Sequence, residues 1–305
     1  MALRPRSCHD ARVSPAPSPL PSPGRSLVRL SRPARALAAR LVTGPHRSPD
    51  QAPTSAPVHP EALPHRGGDG PVGVLLCHGF TGSPQSLRPW AEHLQADGFR
   101  VELPRLPGHG TRWQELNRTG WTDWYAAVER ALLTLDRECE RVFVAGLSMG
   151  GALALRLAAQ HGPRVAGLVL VNPCINIADP RLKAIRLLSA LPSFPGIVND
   201  IARPGQDEAG YDRLPLRALH SQTKLWTDVQ AQLGRVDQPI LVFASRVDHV
   251  VDASSLALIR AGVASAELEV VTLERSYHVA TLDYDAEDIF RGSADFFRAH
   301  VGERT

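Results

Sequence analysis

The run Val142-Phe-Val-Ala-Gly-Leu-Ser-Met-Gly-Gly-Ala-Leu-Ala-Leu155 passes from β-branched and apolar residues into a strong helix former within a single turn. A strand that feeds a helix so abruptly forces its apex residue into a strained conformation and pushes that side chain out of the sheet. Glycines on either side, Gly146 and Gly150, let the turn close, and Gly151 lets the helix lie against the sheet. Such a turn suits a parallel sheet with helices on its faces and would put the Ser148 hydroxyl at a strand's C-terminal end. The pentapeptide alone arises by chance about one time in ten in a chain of this length. Its meaning depends on what surrounds it.

The 305 residues suffice for one large α/β domain or two small ones. The net charge of +3 hides an asymmetry: residues 1–70 hold ten Arg, no Lys and four acids, which leaves the remainder at −3. That same stretch has 13 of the 26 prolines, Pro-Ser repeats and few large apolar residues, so residues 1–65 read as a disordered extension. Its Arg- and Ser-rich composition is compatible with a transit segment or an electrostatic arm, and equally with a functionless extension or a start codon assigned too far upstream. Deleting it is expected to leave activity intact. The mildly acidic body excludes nucleic acid as an expected partner, and no segment is long and apolar enough to anchor the chain in a membrane. Cysteines at 8, 77, 139 and 174 have no paired spacing, which fits a reducing, cytoplasmic setting. The twelve histidines form no metal-ligand pattern, so no metal is expected.

From residue 71 short apolar runs alternate with amphipathic stretches. Strands are expected at 72–77, 99–103, 142–145, 165–171, 240–244 and 268–273, and helices at 86–97, 122–137, 149–161, 253–261 and 286–300. The Pro-rich stretch 58–63 has room for at most one short strand. Residues 173–238 break the rhythm and read as a strandless, mainly helical cap inserted before the 240–244 strand, where an insertion of this size serves as a lid.

The first strand ends in His78-Gly-Phe-Thr-Gly-Ser-Pro84, whose glycines, Gly79 and Gly82, permit a tight turn of converging N–H groups. Phe80 N–H and Met149 N–H are the expected oxyanion donors, each worth roughly 3–4 kcal/mol of barrier. The strand 240–244 runs into a loop carrying Asp248, the position a triad acid requires. The competitor Asp252 precedes Ala253-Ser-Ser-Leu and reads as a helix cap. His278, after the last strand and before the terminal helix, is the candidate base, giving the order Ser148, Asp248, His278. His109, in Leu106-Pro-Gly-His-Gly110, either lines the crevice or serves the turn. Gly79 and His109 near the nucleophile, Ile201, Tyr211, Leu219 and Trp226 in the insertion, and Val279 beside the base are the candidate substrate contacts, although burial within the insertion is the default reading for the four insertion residues.

The motifs VLLCHGFTGSPQSLRPWAEHL, LPRLPGHG, WTDWYAAVERAL, VAGLSMGG, SRVDHVV and SYHVATLD, in this order, resemble the α/β-hydrolase superfamily, and within it the bacterial carboxylesterase and monoacylglycerol-lipase-like group. The resemblance implies a mostly parallel sheet of six or seven strands covered by helices, over residues 66–305. It also implies a serine hydrolase of short- to medium-chain esters or monoacylglycerols that needs no cofactor, with the insertion walling an acyl pocket. Thioesterase, serine aminopeptidase and acyltransferase chemistry use the same parts. A non-catalytic binder would be expected to lack a triad member, and none is missing.

Overall fold

The computed structural model describes residues 57–196 and 199–302; most of the expected N-terminal extension, residues 1–56, lies outside the described residues. The strands are β1 (His65–Gly67), β2 (Val72–Cys77), β3 (Arg100–Leu103), β4 (Arg141–Leu147), β5 (Leu168–Val171), β6 (Ser193–Pro195), β7 (Arg213–Pro215), β8 (Ile240–Ser245) and β9 (Leu268–Leu273). Seven of them form one sheet in the order β1-β3-β2-β4-β5-β8-β9, with β1 antiparallel and the rest parallel. The α-helices are α1 (Arg88–Ala96), α2 (Trp113–Leu116), α3 (Trp121–Glu138), α4 (Met149–His161), α5 (Ile185–Leu188), α6 (Leu216–Gln230), α7 (Ser254–Gly262) and α8 (Ala286–Ala299).

Strict alternation along the central strands sorts side chains onto two faces. Leu75, Val144, Leu170 and Val242 meet Trp124, Leu132, Leu153 and Leu225 of α3, α4 and α6. Val74, Phe143, Val169 and Phe243 meet Trp90 and Leu94 of α1 and Phe290 and Phe297 of α8. Burial on both faces explains why β2, β4 and β5 read as continuous apolar runs. Each such Leu, Val or Phe contributes about 1.5–3 kcal/mol. The edge strand β9 exposes Glu269 and Thr272 and is only partly buried.

Residues 58–63, with room for at most one short strand, form none: Pro60–Ala62 is a 3₁₀ turn, and the edge strand falls at His65–Gly67, paired with β3. One expectation needs correcting. Residues 173–238 do contain strands, since β6 and β7 make an antiparallel ribbon pairing Phe194 with Leu214. Three-residue strands carrying prolines leave no periodicity to detect. The second half of this insertion, α6, packs on α3 and α4 and buries Ala218, Leu225 and Val229 in the main core.

The truncation limit also moves. Ala62 is buried, His59 N–H donates to Gly110 O at 2.9 Å, and Arg88 reaches Leu63 O at 2.7 Å. A chain starting at residue 57 is therefore expected to keep its activity. One starting at 68 loses β1 and the Ala62 seat, at a cost of about 2 kcal/mol, or roughly 4–8 °C in Tm. Thermal melts of the two truncations side by side check this; equal Tm values would contradict it.

Candidate active site

Ser148 lies between β4 and α4 with φ 56° and ψ −117°, a left-handed backbone that costs a residue with a Cβ about 1–3 kcal/mol. Neighbours over-determine it. Its N–H donates to Val171 O at 2.9 Å, and its carbonyl accepts from Gly151 N at 2.9 Å and Cys174 N at 3.0 Å. A Cβ on Gly150 would stand 1.8 Å from Cys77 O, and one on Gly146 2.3 Å from the Gly150 carbonyl carbon. Both positions exclude any side chain, because helix and strand backbones meet there.

The loop after β2 approaches the same turn: a Cβ on Gly79 would be 3.6 Å from Ser148 Cβ. His78, fully buried, holds this loop. Its Nδ1 lies 2.9 Å from Gly79 O and its Nε2 accepts from Leu106 N–H at 3.1 Å, which assigns the proton to Nδ1. Burial pushes its pKa down to about 4, against the smaller opposing effect of the Gly79 hydrogen bond, so the ring stays neutral. His109 is buried edge-on to it at 5.0 Å and packs against Phe80 and Trp124. Its pKa falls well below the usual range through burial and then through His78. Thr81, with φ 63°, completes the turn and accepts Tyr211 N–H through its carbonyl. Met149 is the first residue of α4, so its N–H is one of those with no partner inside the helix.

Across the site, His278 Nδ1 stands 2.8 Å from Asp248 Oδ2. The other oxygen, Asp248 Oδ1, accepts the N–H groups of Val250 and Val251, each at 2.8 Å. Burial raises the Asp248 pKa, but the His278 hydrogen bond and charge and the two amides outweigh it and hold it low. Burial lowers His278, yet the hydrogen bond and charge of Asp248, with the charges of Glu208 and Asp200, leave it above its ordinary value. Asp252 does other work, accepting Ser254 N–H at the start of α7 and Ala178 N–H. Asn172 braces the arrangement, its amide donating to Ser245 Oγ and His278 O at 2.9 and 2.8 Å.

Ser148, His278 and Asp248 open onto one cavity of about 760 Å³. Gly79, Phe80, Leu219, Trp226 and Val279 line it as well; His109, Met149, Ile201 and Tyr211 do not. Ile201 packs on the α1–α8 side of the core, and the Tyr211 hydroxyl bridges Thr111 N and Gly108 O. Most of the wall comes from the insertion, with Ile177, Leu182, Ile185, Leu214, Leu219 and Trp226 as an apolar lining. Polar insertion residues interrupt this lining, among them the acids Asp179, Asp200 and Glu208. Glu208 lies over the loop after β2, close to Gly82, and burial there, eased slightly by His278, raises its pKa to about 7. Among the described residues no group of three His, Cys, Asp or Glu is placed to hold a metal ion, and no helix is long and apolar enough to cross a membrane.

Comparison with known proteins follows the same lines. Residues 72–285 match the family described as serine aminopeptidase, S33. A thermostable monoacylglycerol lipase from Bacillus sp. (strain H-257) is 42% identical over 248 residues, 81% of this chain and 98% of the relative. A carboxylesterase from Bacillus subtilis (strain 168) is 27% identical, over 78% of this chain and 96% of the relative. Among solved structures, one from work on the metagenome-derived lipolytic enzymes LipS and LipT superposes with a TM-score of 0.78 at 40% identity, over 80% of this chain and all of that one. A monoacylglycerol lipase from Paleococcus ferrophilus shares the fold at a TM-score of 0.65 and 17% identity, over 78% of this chain and 98% of that one.

Proposed function

Since this chain belongs to the serine aminopeptidase S33 family, has the α/β-hydrolase fold and is a carboxylic ester hydrolase, we propose that it cleaves monoacylglycerols and similar medium-chain esters through Ser148, His278 and Asp248. The observation that carries this reading is the His278–Asp248 pair at 2.8 Å, facing the same cavity as a serine held at φ 56°. His278 Nε2 takes the Ser148 proton as the hydroxyl attacks the acyl carbon. The Phe80 amide in the loop after β2 and the Met149 amide at the start of α4 hold the resulting oxyanion. His278 then returns the proton to the departing alcohol, and water activated by the same ring releases the acid from Ser148. Asp248 keeps the His278 proton on Nδ1 throughout.

The lining favours a ligand with two unlike ends. The aliphatic wall suits an acyl chain, whereas Glu208 suits hydroxyl groups of the alcohol portion. Serine aminopeptidase activity, after which the family is named, would need an acid to bind a substrate ammonium. Burial raises the Glu208 pKa to about 7, which disfavours its charged form and makes it a poor counter-ion. The test combines a fluorophosphonate probe with a chain-length series of monoacylglycerols and p-nitrophenyl esters, run beside amino-acid p-nitroanilides. Labelling of the peptide containing Ser148 and faster turnover of medium-chain monoacylglycerols than of anilides are expected. An unlabelled protein, or preferred cleavage of the anilides, would refute the reading.

A further inference from the structure

One acid of the insertion touches both loops that carry the His278–Asp248 pair. Asp200 Oδ2 accepts His249 N–H and His278 N–H, each at 3.2 Å, and its Oδ1 lies 2.7 Å from His249 Nδ1. Its backbone carbonyl accepts Val279 N–H at 3.1 Å. The acid loop is therefore gripped one residue past Asp248, and the base loop at His278 itself and the residue after it. Asp283, also buried, seats insertion residues two and three positions further on: Oδ2 accepts Ala202 and Tyr277 N–H, and Oδ1 accepts Arg203 and Tyr284 N–H, at 2.7–2.9 Å. Residues 200–203 are thus fastened to the base loop through two carboxylates. Such loops have no sheet ladder to hold them, and a carboxylate collecting several N–H groups supplies that rigidity.

We propose that Asp200 is a positioning residue: it sets the separation of the loops bearing Asp248 and His278, and makes that separation depend on how the insertion is seated. The insertion also walls the cavity, so the surface that receives substrate and the geometry of the proton-transfer pair are mechanically joined. The inference rests on the triad reading above. Three carboxylates face the His278 imidazole, Asp248 from the loop after β8 and Asp200 and Glu208 from the insertion, and His249 faces Asp200.

Two substitutions separate geometry from charge. Asp200→Asn can keep its oxygen on the two backbone N–H groups and donate to His249 Nδ1, so the seat survives while the charge is lost. Asp200→Ala loses both. For the full chain acting on p-nitrophenyl butyrate, Asp200→Ala is expected to lower kcat about ten- to a hundredfold with a smaller change in KM. Asp200→Asn is expected to recover most of kcat, with the acid limb of kcat/KM displaced to lower pH, because one anion beside His278 is gone. A residue that only shaped the cavity would move KM instead. An Asp200→Ala kcat within twofold of the parent overturns the proposal. If Asp200→Ala shows no cooperative melt, an unshifted acid limb in Asp200→Asn overturns it. Failure of the triad reading is distinct, since the parent protein would then escape fluorophosphonate labelling.

Discussion

Replacing Ser148 with alanine is expected to lower kcat/KM on p-nitrophenyl butyrate by at least about 10⁴-fold, to the level sustained by binding and oxyanion donors alone. Alanine keeps the Cβ, so the strained φ of 56° and the four backbone hydrogen bonds of this residue persist unchanged. The melting temperature should therefore stay within about 2 °C of the parent, which separates lost chemistry from lost structure. Fluorophosphonate labelling should disappear in the same variant. Activity within tenfold of the parent would place the nucleophile elsewhere.

The second large effect follows from how the acid is held. In Asp248→Asn a single oxygen must serve either the Val250 and Val251 amides or the imidazole. The two N–H groups, both at 2.8 Å from Oδ1, draw the amide oxygen toward themselves. The NH₂ group then faces His278 Nδ1 and forces the ring to carry its proton on Nε2, the atom that must be free to receive the serine's. A loss on the order of 10⁴ in kcat is expected. The pH profile supplies an independent sign. A general base works when neutral, so activity rises as pH climbs through the His278 pKa. Asp248 holds that pKa up, and the residual activity of Asp248→Asn should have its acid limb at lower pH than the parent. Asp252→Asn, altering a carboxylate that bonds Ser254 and Ala178 instead, should show neither effect. A greater loss in Asp252→Asn than in Asp248→Asn would reverse the assignment.

How much of this was legible beforehand varied with the range of the interactions involved. α4 begins and ends where the Ala- and Leu-rich run does, because its helical propensity is local. β4 runs two residues beyond the expected 142–145, through Gly146 and Leu147, because parallel neighbours on both sides keep it in register. β5 starts three residues later than expected, after the turn Gly162–Arg164. The edge strand His65–Gly67 has no β-branched residue, and only its pairing with β3 makes it a strand.

The same division runs through the candidate site. A sharp turn at Ser148, a glycine loop after β2, and an acid and a histidine after later strands were all readable, since each is a short-range pattern of backbone demands. His78, Asn172, Asp200 and Asp283 gave no such pattern. Each satisfies N–H or C=O groups of segments far away in the chain, as Asn172 does for a carbonyl 106 positions on and Asp200 for an amide 78 positions on. No local periodicity encodes a partner at that distance. By itself the sequence determined where a strand must turn into a helix and which residue occupies the apex. Only the tertiary structure decided which side chains share the cavity with that residue, and which carboxylates hold its loops in place, because those partnerships exist only once distant backbone groups leave water together and must find one another.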